Sequence, residues 1–248
     1  MAKSSTIEWT TGTWNPVTGC TKISDGCVHC YAERLARRLK GMGNPRYRNG
    51  FRVTLHRDAL QEPCRWSRPQ MIFVCSMSDL FHEDVPDEYI SDVFKIMNQS
   101  RHHIFQVLTK RSRRLASICS SLNWSENIWA GVTVESERYI SRIKDLRLVP
   151  ANVRFVSLEP LLSAIPFLPL EGIDWVIVGG ESGIGSRVMR PEWVTSIRDK
   201  CVKSNNPFFF KQWGGSNKKA AGKLLEGKVW NQMPASEGLI TSLFAKKS

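Results

Sequence analysis

From residue 71 onward the sequence alternates two hydrophobic periods, and few folds accommodate that alternation. Short continuous apolar runs fall at Met71–Cys75, Ile104–Leu108, Ile128–Val134, Val153–Leu158, Trp175–Val178 and Phe208–Phe210. Runs of this length without polar alternation are what strands buried on both faces look like. Between them the period becomes helical. Ile90, Val93, Phe94 and Met97 fall at i, i+3, i+4 and i+7 behind Asp87 and Glu88, and Leu115, Ile118, Cys119 and Leu122 repeat that spacing. Tyr139, Ile140, Ile143 and Leu146 mark a third helix, with Ser136 as N-cap and Glu137 in its first turn. Pro191 opens a fourth, with Val194, Ile197 and Cys201 on its buried face. Alternating strands and helices imply a parallel sheet with right-handed crossovers. Six such units fit an α/β fold, a partial or full TIM-like (β/α) barrel, with a doubly wound open sheet as the alternative. One domain spanning residues 1–248 is expected, with Ser163–Leu170 as a proline-bearing loop and residues 214–248 as loops and a short cap.

Hydrophobic residues make up 42% of the chain, enough for a substantial core. No apolar run approaches the ~20 residues of a membrane span. Met1-Ala2-Lys3-Ser4-Ser5 leads into no signal-peptide core, so a cytoplasmic location away from membranes is expected. Four of the seven cysteines, Cys64, Cys75, Cys119 and Cys201, are scattered and read as core or loop thiols, not as a disulfide framework. The net charge of +12 favours a polyanionic partner, with nucleic acid or a nucleotide first, against the plainer reading of a soluble basic surface. Basic residues cluster at Arg34–Lys40, Arg46–Arg52, Arg65–Arg68, Lys110–Arg114 and Lys218–Lys228.

The other three cysteines, Cys20, Cys27 and Cys30, are spaced C-x6-C-x2-C within the stretch 14–33. A structural zinc site closes its tetrahedron with four protein ligands, whereas a reactive one keeps a position open. Three thiolates on a [4Fe–4S] cluster likewise leave one iron without a protein ligand. His29 supplies the alternative: a closed Cys3His zinc site in a non-enzymatic, basic nucleic-acid-binding protein, although its adjacency to Cys30 makes that geometry awkward. The strands all lead into polar signatures: Ser76-Met77-Ser78-Asp79, Thr109-Lys110-Arg111, Glu135-Ser136, Glu159-Pro160, Gly179-Gly180-Glu181-Ser182-Gly183 and Lys211-Gln212-Trp213. In parallel barrels the strands' C-terminal ends carry the site. GGESGIG lacks the full dinucleotide-binding glycine pattern, and there is no phosphate-binding G-x-x-x-x-G-K-[ST].

The stretch WNPVTGCTKISDGCVHCYAERLA resembles the cluster loop of the radical S-adenosylmethionine (SAM) superfamily. Together with LHRDALQEP, FVCSMSDLFHEDVP, VLTKRSRR, AGVTVES, VSLEPLL, VGGESG and FFFKQWG, it resembles a phage-borne three-cysteine-motif protein family of unknown function. It departs from the commonest superfamily loop in two ways: six residues rather than three separate the first two cysteines, and His29 stands where an aromatic is usual. The resemblance implies a radical-SAM-type barrel with a [4Fe–4S] cluster on Cys20, Cys27 and Cys30 and SAM on the fourth iron. Reductive cleavage of SAM would give a 5′-deoxyadenosyl radical that abstracts hydrogen from a substrate. It also implies a flavodoxin- or ferredoxin-like electron donor and a companion protein from a neighbouring gene. Partial similarity to photolesion-repair lyases of the superfamily points to a nucleic-acid substrate. In that frame Ser76, Ser78 and Asp79 are expected at the SAM ammonium, and Lys110 or Arg111 at its carboxylate. Glu135 and Glu159 are expected at ribose hydroxyls or substrate. Gly179 and Gly180 would allow close approach of adenine, with Glu181 in the same cofactor set. Arg111, Lys211, Gln212 and Trp213 are expected to face substrate, with Trp213 as a base-stacking platform. His82 reads either as substrate-facing or as a surface-loop residue, and His102 and His103 as turn residues.

Overall fold

The six apolar runs pair side by side and, with one further short strand, form one seven-stranded sheet. The computed structural model describes residues 5, 7–216 and 222–234. Along the chain come β1 (Gly12–Trp14), β2 (Val17–Thr18), α1 (Tyr31–Gly41), β3 (Thr54–Leu55), β4 (Met71–Val74), α2 (Asp87–Gln99), β5 (Ile104–Thr109) and α3 (Ser112–Ile118). There follow β6 (Ile128–Thr133), α4 (Arg142–Arg147), β7 (Arg154–Leu158), β8 (Trp175–Gly179), α5 (Pro191–Lys203), β9 (Phe208–Gln212), β10 (Leu224–Leu225) and β11 (Lys228–Val229). The sheet runs β1-β4-β5-β6-β7-β8-β9 with every neighbouring pair parallel, and curls into a half-barrel. The expected α/β partial barrel is therefore what the chain forms.

Because successive side chains point to opposite faces of a strand, each run serves two layers. Val107, Ala130, Val132, Val156, Val176 and Phe210 pack outward against Ile90, Val93 and Phe94 of α2 and Val194 and Ile197 of α5. Met71, Phe73, Ile104, Trp129, Phe155, Trp175, Ile177 and Phe209 face the opposite way and gather around Trp9. The ring centroids of Trp9 and Phe73 lie 4.8 Å apart, and Trp129 meets Trp175 edge-on at 6.1 Å. Gly131 makes room for this plug, since a Cβ there would lie 2.4 Å from the Phe155 ring. Aromatic rings thus fill the inner face, while Thr133, Ser157 and Lys211, nearer the strands' C-terminal ends, line a cavity.

The strict alternation fails in four places. β1 joins the sheet although its three residues, Gly12-Thr13-Trp14, form no apolar run. No α-helix connects β7 to β8, because Pro160, Pro166 and Pro169 interrupt that segment. The third helix is a 3-10 turn at Glu137–Tyr139 followed by the short α4, and the Ser136 side chain makes no capping bond. α3 ends at Ile118 and passes into a 3-10 turn over Cys119–Ser121. Of the stretch 214–248 expected to form loops and a cap, the described residues include the β10–β11 hairpin and a bridge between Asn231 and Phe209, and residues 217–221 and 235–248 lie outside the described residues. No helix among the described residues is long and apolar enough to cross a membrane.

His103 is more than a turn residue. It is fully buried, with Nε2 bonded to the Pro63 carbonyl oxygen and its ring edge-on to Phe105. Burial, and then neighbouring His102, push its pKa down to about 4 from the ordinary 6.5. Between those values the unfolded chain takes up a proton that the folded chain refuses, so stability falls as pH drops from about 6.5 towards 4. The melting temperature is expected to fall across that window and to fall less in His103→Gln. An equal slope in both proteins would show that His103 contributes nothing to it.

Candidate active site

The stretch carrying Cys20, Cys27 and Cys30 crosses the C-terminal ends of the strands and is fastened at several points by buried polar groups. Gly19 forms a parallel bridge to Ser78, whose Oγ donates to the Gly19 carbonyl at 2.5 Å. A side chain at Gly19 would collide with the Arg52 carbonyl at 2.1 Å, and its φ of +85° suits glycine. Asn15 Oδ1 accepts from the Ser76 hydroxyl and the Met77 amide, tying the loop's start to the turn after β4.

Beyond that turn, Asp79 is a buried hub. One oxygen accepts from Thr109 Oγ1 at 2.6 Å and the Phe81 amide at 3.0 Å, and the other from the Lys110 amide and Arg111 Nη1. Arg111 also reaches Cys20 Sγ at 3.4 Å, Thr21 Oγ1 at 2.8 Å and both Glu83 oxygens. Burial opposes the Arg111 charge, but Asp79, Cys20 and Glu83 more than compensate and hold its pKa above the ordinary value. Burial first, then Asp79, push the Cys20 thiol up to about 11. His82 is buried, with Nε2 2.8 Å from Thr21 Oγ1; it supports the loop instead of facing a substrate or lying on the surface.

The Cys27 end is fastened separately. Glu135, fully buried, accepts from Ser24 Oγ and from Arg142 Nη1 at 2.8 Å, with Lys110 Nζ at 3.8 Å. A Cβ at Gly26 would lie 2.6 Å from the Glu135 side chain, so only glycine lets the loop pass. The Asp25 amide donates to the Tyr139 hydroxyl, whose ring lies under Arg142 at 4.4 Å. Glu181 grips Arg187 through both oxygens, and Arg187 Nη2 donates to the Asp25 carbonyl. Burial works against the Glu181 charge, but the Arg187 hydrogen bonds outweigh it and hold its carboxyl below the usual value.

Under this loop lies a cavity of about 360 Å³. Of the residues singled out from the sequence, Cys20, Cys27, Cys30, Ser76, Ser78, Asp79, Lys110, Arg111, Glu159, Gly180, Glu181, Lys211 and Gln212 line it. Lys211 Nζ and Glu159 Oε1 pair at 2.5 Å across its wall. Gln212 Nε2 donates to Ser182 Oγ at 2.6 Å.

Three residues lie off the lining. Glu135 sits behind the loop as its anchor. Gly179 packs against the Glu159 side chain. Trp213 turns away: its ring packs on Phe210 at 4.8 Å and its indole donates to the Leu224 carbonyl, so it offers the cavity no stacking face. Gly180 lines the cavity, yet a Cβ there would lie 2.0 Å from the Trp213 carbonyl; its bareness serves the close passage of β8 beside the end of β9. Arg111 and Asp79 have most of their hydrogen-bonding groups committed to the loop. Asn15, Ser24, Glu83, Arg142 and Arg187 were not singled out from the sequence. Asn15 and Ser24 stand inside the cysteine stretch, while the other three acquire roles only through tertiary pairing.

A family model described as "Protein of unknown function (DUF5131)" matches residues 4–234. The chain belongs to that family. Solved structures of spore photoproduct lyase share its fold. A variant of that lyase with bound AdoMet (SAM) and dinucleoside spore photoproduct aligns with a TM-score of 0.51 at 13% identity, over 82% of this chain and 64% of the lyase chain. Another variant, with the dinucleoside alone, aligns with a TM-score of 0.53 at 12% identity over the same shares. The chain thus spans under two thirds of the length of those lyases. No curated protein matches the sequence.

Both metal groups that the sequence suggests draw on the same three thiols, and zinc needs a fourth protein ligand for a closed site. A lone zinc ion draws its sulfur ligands to about 2.3 Å from one point. His29 Nδ1, the candidate fourth ligand of a closed zinc site, faces Glu181 at 3.8 Å, a contact that competes with such a role. The three thiols border one cavity and are each partly exposed, so their number and type fit a [4Fe–4S] cluster with one iron left open.

Proposed function

We propose that this chain is a radical SAM enzyme acting on a nucleic-acid or nucleotide substrate. One observation carries the reading: Cys20, Cys27 and Cys30 line a single cavity at the C-terminal mouth of a parallel half-barrel. These three thiolates would hold a [4Fe–4S] cluster, leaving one iron for the amino and carboxylate groups of SAM. A cluster held there would supply the one-electron reduction that splits SAM into methionine and a radical able to abstract hydrogen from substrate.

The protein's own residues bind, orient and exclude water. Arg111 and Asp79 fix the Cys20 end of the loop, and Glu135 with Arg142 fixes the Cys27 end. Lys110 is the cation best placed for the SAM carboxylate, since it keeps some exposure at the mouth while Arg111 is buried in its own pairings. The backbone and hydroxyl groups at Ser76 and Ser78 border the ammonium site. Glu159, paired to Lys211 and retaining acceptor capacity, suits ribose hydroxyls. Gln212 and Lys211 border the space left for substrate. The aromatic plug behind them shields the cavity floor from water. An external one-electron donor of flavodoxin or ferredoxin type is required, and the companion protein stands as a further proposed partner.

Anaerobic reconstitution with iron and sulfide tests the reading. About four irons per chain, the stoichiometry of one [4Fe–4S] cluster, together with 5′-deoxyadenosine formed from SAM on adding a reductant, are the expected results. Tightly bound zinc with no SAM turnover would overturn it.

A further inference from the structure

The basic charge is not spread evenly. Residues 34–68 carry Arg34, Arg37, Arg38, Lys40, Arg46, Arg48, Arg52, Arg57, Arg65 and Arg68 against only Asp58 and Glu62. That is ten positive and two negative groups, or +8 of the chain's +12, in 35 residues. The segment begins within α1 and continues as an excursion towards β4, held by three 3-10 turns and the small β2–β3 ribbon. Both of its acids are taken up by one residue, Arg46. Among the described residues, the side chains of Arg38, Lys40, Arg48, Arg52, Arg65 and Arg68 make no hydrogen bond or ion pair, and all six are exposed.

The segment is continuous with the cavity. Phe51 lines it, the Phe51 carbonyl accepts from the Cys20 amide at 3.1 Å, and the Arg52 carbonyl abuts Gly19. Leu39, Tyr47 and Phe51 pack together with Met77, so α1 and the segment form one body beside the site.

Resting on the nucleic-acid part of the reading above, we propose that residues 34–68 are a docking surface for the phosphate backbone of a polynucleotide. The substrate is then one residue of a strand and not a free nucleotide. Arginine outnumbers lysine nine to one here, which suits bidentate grip on phosphate oxygens. Leu35 and Met42 are the exposed large hydrophobic side chains of residues 34–42, and from Gly43 to Arg68 none is exposed among the described residues, whereas a protein partner's interface is organised around an apolar centre. Such a surface reads charge and leaves sequence to the cavity.

The test is fluorescence anisotropy with a 5′-labelled oligonucleotide of about 20 residues, single-stranded and as duplex, over a salt series. The full chain is measured both after reconstitution and with Cys20, Cys27 and Cys30 replaced by alanine. Binding is expected in both forms, so a failed cluster assignment leaves this result readable. Arg48→Gln/Arg52→Gln/Arg65→Gln/Arg68→Gln is expected to lose at least about tenfold in affinity and to flatten the log–log salt slope for single strands by about 3, at 0.7 per lost contact. A control with the same charge loss on the helices, Lys95→Gln/Lys144→Gln/Lys200→Gln/Lys203→Gln, is expected to lose less than threefold. Equal losses in the two variants, no loss in the arginine variant, or equally tight binding of poly-glutamate would overturn the proposal. The last of these would indicate an acidic protein partner.

Discussion

Alanine at any one of Cys20, Cys27 or Cys30 is expected to drop reconstituted iron from about four per chain to below about one, and to abolish 5′-deoxyadenosine formation to the limit of detection. The reason is ligand count. Each thiol is one of three, and none of the other four cysteines stands in the loop. Cys64 lies against Ser100 on a different part of the chain, and Cys119 and Cys201 are buried in the outer layer. Cys75 borders the cavity but sits with its side chain in the helix-facing core, and burial pushes its thiol pKa well up. Cys27 and Cys30 are only partly buried, so their metal-free alanine variants are expected to melt within about 2 °C of native, as mild surface substitutions do. Cys64→Ala and Cys119→Ala serve as controls and should retain iron. Full iron in a single loop variant, or equal loss in Cys64→Ala, would sink the assignment of these three ligands.

Much of the fold was legible because both layers depend on periods that a sequence records. The apolar runs at 71–75, 104–108, 128–134, 153–158, 175–178 and 208–210 each became a strand of the one sheet within a residue or two. Pro191 opens α5, and the i, i+3, i+4, i+7 set on Ile90 gives the buried face of α2. β1 was not legible, because its place is set by pairing with β4, sixty residues away, and not by any local pattern. The same limit applied to the site. Strand ends with polar residues marked where a cavity would open, and thirteen of the sixteen residues singled out line it. What each one does depends on partners brought in from elsewhere: Arg111 and Glu135 read as ligand groups by residue type, but Thr21, Glu83, Ser24 and Arg142 claim them. Trp213 shows the limit from the other side. Its place at a strand end was legible, while the neighbouring Phe210 and the Leu224 carbonyl that turn it outward were not.

Asp79→Ala is expected to destabilise the metal-free chain by roughly 3–5 kcal/mol, the cost of leaving one member of a buried ion pair without its partner. The two side chains are almost wholly buried, at 8% and 3% exposure for Asp79 and Arg111. Truncation strands more than the guanidinium: the Thr109 hydroxyl and the amides of Phe81 and Lys110 lose their acceptor too. Glu83, largely exposed, still meets Arg111 Nε and keeps the loss from being larger. Asp79→Asn retains one carbonyl oxygen and the shape, so it should cost roughly half as much, since a buried donor left unpaired costs about 1–3 kcal/mol. In Asp79→Leu/Arg111→Met both charges are gone, and the double variant should be more stable than the sum of its single variants predicts, by at least about 1 kcal/mol. Urea unfolding of the metal-free proteins measures these differences. Iron content after reconstitution reads the second consequence: because Arg111 holds Cys20 and Thr21, freeing it should also lower cluster occupancy in Asp79→Ala. An Asp79→Ala chain within about 1 kcal/mol of native would mean that water reaches Arg111, and that the loop is held by the Glu135 end alone.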